Sequence, residues 1–142
     1  MTKQYLDVTQ EAGAAFFSRN ITGPVTMLNL LRFRDVADYS ATPDLMPDKP
    51  ISGADAYQKY IEFTTPFLEG SDGELLFLGK GGQYLIGPQE EQWDLVMLVR
   101  QKSLADFMAF SSHQEYLVGM GHRTAALEDS RLLPVVESRT AT

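Results

Sequence analysis

Hydrophobic and polar positions along this chain follow two periods. Thr9 precedes QEAGAAFFSR, which predicts a short capped helix ending before Asn20. After a turn at Gly23 and Pro24, VTMLNLLRFR is predicted as a strand over 25–34. Ser52 then caps a predicted helix over 53–65. Tyr57, Tyr60, Ile61 and Thr64 form its i, i+3, i+4, i+7 stripe, and Pro66 ends or kinks it. GELLFLGKGGQYLIG and WDLVMLVR read as two strands joined into a hairpin by GPQEEQ, with Gly79, Gly81 and Gly82 suggesting a bulge. SLAD opens a short helix to about residue 110, and SHQE a longer one to about residue 128. RLLPVV reads as a last short strand whose Pro134 marks an edge or a bulge.

After the first helix the order is β-α-β-β-α-β, the ferredoxin-like or split βαβ pattern. The expected fold is α+β, an antiparallel sheet with helices on one face. The 142 residues suit one domain, with residues 1–23 as a helical extension. Residues 35–51 hold three of the seven prolines and are expected to be a loop. Such a length suggests a segment packed on a partner or over a pocket mouth.

Strand alternation puts Val25, Met27, Asn29, Leu31 and Phe33 on one face of 25–34, with Leu28 and Leu30 on the other. WDLVMLVR divides likewise into Trp93, Leu95, Met97 and Val99 against Val96 and Leu98. Two helices cover only one face. Each large apolar side chain left in water forgoes roughly 1.5–3 kcal/mol of burial. A second copy packed sheet to sheet is the simplest remedy, so a homodimer is expected.

Composition narrows the partners. A net charge of -7 and twelve scattered basic residues argue against nucleic acid and anionic membranes. There is no cysteine, which removes disulfides, thiolate catalysis and cysteine-ligated zinc. The N-terminus has no apolar signal segment, and no run suits a membrane span, so a cytoplasmic protein is expected. GKGG lacks the spacing of a phosphate loop, and two histidines without HExxH make a poor metal set. No cofactor or metal is expected.

Six segments occur in a telling order: VTMLNLLRFR, the helix with YQKY, GGQYLIG, WDLVMLVR, S-x-x-D-F, and HRTAALEDSRLLPV. Over about residues 24–136 they resemble the bacterial domain of unknown function 1330 family, of the dimeric α+β barrel superfamily. The resemblance implies a ferredoxin-like protomer and a two-sheet dimer barrel, with pockets between sheet and helices. It implies no established reaction. The wider superfamily includes cofactor-free monooxygenases, cyclases, isomerases and haem enzymes, and proteins that only bind ligands, so fold analogy does not name an activity.

Each candidate site residue has a functional and a structural reading. Asn29, among Met27, Leu31 and Phe33, is either a pocket amide that orients a ligand or a buried structural hydrogen-bonder. His113, beside a helix N-terminus that disfavours its imidazolium, is either a general base or a histidine bonded to a loop. SSHQEY also resembles a superfamily pattern in which a histidine opens this helix beside the pocket. His122 falls on the opposite helix face with Val118, Ala125 and Ala126, small residues that allow close approach. Arg123 either binds a carboxylate or bridges to Glu128, Asp129 or an interface acid. Tyr57 and Tyr60 are core by position, yet each hydroxyl needs a partner.

Two functions follow. One is a cofactor-free enzyme moving a proton on a small organic metabolite, of isomerase, cyclase or dehydratase type. There His113, or His122, would be the base, and Met27, Asn29, Phe33, Tyr57, Tyr60 and Arg123 would bind the ligand. The other is a non-catalytic ligand-binding or interaction module. A pocket holding His113, Asn29 and a tyrosine within reach would favour the first.

Overall fold

The computed structural model describes residues 3–141. Helix α1 (Gln10–Ser18) begins where Thr9 Oγ1 accepts from the Ala12 amide at 3.0 Å, so an exposed helix is set by its cap. Strand β1 (Val25–Phe33) follows, then a 3-10 turn at Pro43–Leu45 and helix α2 (Gly53–Gly70). Strands β2 (Glu74–Lys80) and β3 (Leu95–Gln101) lead to α3 (Leu104–Ser111), α4 (Gln114–Val118), α5 (Met120–Ala126) and β4 (Leu127–Val135). The sheet runs β2-β3-β1-β4 with every neighbouring pair antiparallel, which is the ferredoxin-like α+β arrangement.

Register sorts the two faces rung by rung. Toward the helices lie Leu78–Met97–Asn29–Leu132 and Leu75–Val99–Met27–Pro134. Away from them lie Phe77–Leu98–Leu28–Leu133, an all-apolar rung, and Gly79–Val96–Leu30–Arg131. The core gathers on the helix side, where Leu31, Met97 and Leu127 pack against Tyr57, Tyr60, Tyr116, Ala125 and Ala126.

Several boundaries differ from those the pattern suggests. α2 runs through Pro66 to Gly70, because a proline deletes one donor while the buried stripe continues through Thr64 and Leu68. The long helix expected to reach residue 128 breaks at Gly119 into α4 and α5, and β4 begins at Leu127. A side chain at Gly119 would collide with the Phe63 ring, so the break marks close approach of α2. The bulge sits between Leu75 and Phe77 rather than at the glycines, and residues 81–94 form a long connection whose bridge outside the strands is Gln83–Gln92. β4 is longer than expected, and it is an edge strand, which accommodates Pro134.

Residues 35–51 dock on their own chain. Asp38 N donates to Ala125 O at 2.9 Å, Ala37 N to Ile51 O at 2.9 Å, and Tyr39 is buried. Gly121 makes room, since a Cβ there would stand 2.5 Å from Thr42 Oγ1 and 2.6 Å from Leu45 Cδ1. The segment covers α5, and of its residues Asp35 alone lines a cleft, at the edge of the sheet-to-helix space. Among the described residues no helix is long and apolar enough to cross a membrane.

Candidate functional site

A cavity of about 600 Å³ lies between the sheet and its helices. Its floor is Met27, Asn29, Met97, Val99, Gln101 and Leu132, all on the helix-facing side of their strands. Its walls come from α2, through Tyr57, Tyr60, Ile61, Thr64 and Leu68, and from Phe107, Phe110, Tyr116, Met120 and Arg123. The N-terminal segment Leu6, Asp7 and Val8 closes one side, with the exposed acids Glu69 and Glu74 at the rim. Alternation on the strands and 3.6-residue periodicity on α2 aim these groups inward.

The lining is apolar with a few polar groups. The Tyr60 and Tyr116 hydroxyls share a hydrogen bond of 2.7 Å. Burial pushes the Tyr116 phenol well above 10, and the neighbouring Tyr60 adds to it. Burial does the same to Tyr57, so both stay protonated and offer O–H groups. The charge of Arg123, which lines the same cavity, acts in the opposite direction on both phenols without outweighing burial. Asn29 Nδ2 donates to Met27 O at 3.1 Å, within its own strand. Arg123 Nη1 donates to Leu6 O at 2.8 Å and has no ion pair among the described residues. Glu128 and Asp129, the acids expected to bridge it, engage Arg32 at 3.9 Å and 3.0 Å instead. Asp129 also holds Arg131, at 2.6 Å.

The cavity therefore brings together Met27, Asn29, Tyr57, Tyr60 and Arg123. Phe33 lines a neighbouring open cleft of about 480 Å³, which also includes Asp35 and shares Tyr57 and Ile61 with the cavity. His113 stands outside both. It is exposed, its Nδ1 accepts from the Glu115 amide at 3.2 Å as the cap of α4, and its ring rests 5.0 Å from Phe67. The expected grouping of His113 with Asn29 is not met, because the break at Gly119 leaves His113 on a separate short helix. His122 turns toward residues 35–51, with Nδ1 2.8 Å from the Tyr39 hydroxyl. Burial, then the charge of Lys59, holds its imidazole below the ordinary 6.5.

Three lining groups escaped sequence reasoning. Tyr116 was hidden by the broken helix. Gln101 was legible, since it continues the parity of Leu95, Met97 and Val99 one step past the strand as read. Thr64 was on the α2 stripe but passed for packing. Among the described residues no cluster of three or more His, Cys, Asp or Glu could hold a metal ion.

Fold and site define a ferredoxin-like α+β protein with an apolar, polar-studded chamber between sheet and helices. Its structure is similar to that of the methylated RPA0582 protein, at 33% identity over 99% of this chain and 100% of that one, TM-score 0.86. A second structure of RPA0582, a protein of unknown function from Rhodopseudomonas palustris and a structural genomics target, gives 34% identity over 97% and 100%, TM-score 0.83. The chain belongs to the RPA0582 family. A dimeric protein of unknown function and ferredoxin-like fold from Bacteroides fragilis is more distant, at 12% identity over 79% and 94%, TM-score 0.47. No family model and no curated protein matches the chain.

Proposed function

We propose that this protein binds a small organic carboxylate in the chamber between sheet and helices. The observation that carries the reading is Arg123, a cation brought into a largely apolar cavity with no acid paired to it among the described residues. Arg123 is half-buried, so its guanidinium is only partly solvated without a counter-charge, and a ligand carboxylate meets its fork of donors bidentately. The protonated Tyr57, whose hydroxyl has no hydrogen-bond partner among the described residues, is free to donate to the same anion. With His113 on the outer surface, these groups support binding more than proton abstraction.

The unit would be a homodimer. Phe77 and Leu133, 54% and 57% exposed, end an all-apolar rung on the uncovered face. The order of motifs over 24–136 supports placing the family within domain of unknown function 1330, and a cytoplasmic location belongs to the same proposal.

The test is a titration of the folded protein with decanoate, followed by amide NMR shifts. Wild type should bind with shifts at Asn29, Met97 and Arg123. Arg123→Gln should weaken binding at least about tenfold, the worth of a charge-assisted hydrogen bond. Binding unchanged in Arg123→Gln would remove the carboxylate reading.

A further inference from the structure

Two other groups in the chamber are unexplained by a carboxylate at Arg123. Gln101 is 1% exposed, and its Oε1 has no hydrogen-bond partner among the described residues. Thr64 is 9% exposed and its Oγ1 is likewise unpartnered. A buried amide or hydroxyl left unsatisfied costs about 1–3 kcal/mol. Among the described residues four buried side-chain polar atoms lack a hydrogen-bond partner, and two of them, on Gln101 and Thr64, line the same cavity. An apolar residue at either place would pack without that cost.

Their position gives a length. Arg123 reaches Leu6, next to Tyr5, whose amide donates to Asp129 near the start of β4, and Leu132, Asn29 and Met97 form one rung across the sheet. Gln101 lies four residues along β3 from Met97, roughly 13 Å at the ordinary rise of a strand. Thr64 sits on α2 seven residues past Tyr57, roughly 10 Å along the helix axis. Met27 and Val99 on the sheet and Ile61 on α2 line the space between with apolar surface. The chamber is thus cationic toward one end and oily through the middle; at the other end it offers Gln101 and Thr64, with the exposed acids Glu69 and Glu74 at its rim and no lining cation.

We infer that the ligand is an elongated carboxylate with a hydroxyl or primary amide at its far end, held there by Gln101 and Thr64. This rests on the carboxylate reading above. The Gln101 amide both donates and accepts, so it suits a group that does the same, and a second carboxylate would find no cation there.

The probes are decanoate and ω-hydroxydecanoate, which share one head group and one length and differ in the terminal hydroxyl. Wild type should bind ω-hydroxydecanoate more tightly. Gln101→Leu should weaken that ligand by about three- to tenfold and leave decanoate unchanged or tighter. Thr64→Val, a near-isosteric change, repeats the test if Gln101→Leu alters the fold. Equal affinity of wild type for the two probes, with both variants indifferent, would overturn this inference while leaving the carboxylate reading intact. Failure of wild type to bind either probe would overturn both.

Discussion

Asn29 sits in mid-strand among Met27, Leu31, Met97 and Leu132, where an apolar residue would be the ordinary choice. Its one side-chain hydrogen bond among the described residues, to Met27 O, is local and contributes little to the fold. Asn29→Leu should therefore be neutral or stabilising by up to about 1 kcal/mol in urea unfolding, while decanoate affinity falls. Unfolding of this variant would make Asn29 a structural residue.

His122 behaves differently. Burial keeps its imidazole neutral below the ordinary 6.5, so the unfolded chain takes up the proton first. Stability should be intact above about pH 6.5 and decline as pH falls from there through the lower folded value. The lowered carboxyls Asp38 and Asp129 titrate below 3.8 and stay out of this window. Melting curves at pH 7.5 and 5.5 measure the drop, and His122→Gln should flatten it.

At the scale of elements, α5 is held from two sides. α2 approaches it closely, and residues 35–51 lie over its other side, with Thr42 and Leu45 against Gly121. That loop was expected on a partner or at a pocket mouth. It acts here as a cover for a helix too short to be stable alone. Gly121→Val should force the cover outward, cost about 1–3 kcal/mol and open 35–51 to limited proteolysis. A variant as resistant as wild type would mean that the loop is held elsewhere, for instance by the Tyr39–His122 bond.

At the scale of the molecule, the uncovered face dominates. Leu28, Leu30, Val96 and Leu98 lie there half-buried, flanked by the more exposed Phe77, Leu133 and Val135. A contiguous apolar patch of this kind marks an interaction surface. Sedimentation at micromolar concentration should give about twice 15.8 kDa. Leu133→Glu, at an exposed position, should yield a folded protein of monomer mass. A wild-type monomer would remove the dimer proposal.

The alternation of VTMLNLLRFR and WDLVMLVR was enough to separate the two faces of the sheet, because side-chain parity in a strand has no freedom once the strand exists. The capping residues Thr9, Ser52 and Ser103 likewise announced their helices through a bond made within four residues. Both are local physics, and so the strand–helix order, the α+β class and the company of Asn29 were readable along the chain. The chamber was not. It depends on Gly119 admitting Phe63, which splits one helix and carries His113 away from the cavity. It depends equally on Arg32 and Arg131 claiming Asp129, which leaves Arg123 without a paired acid among the described residues. Those outcomes are decided by contacts between residues far apart in sequence, where competing partners are ranked by distance and burial that only the packed chain defines.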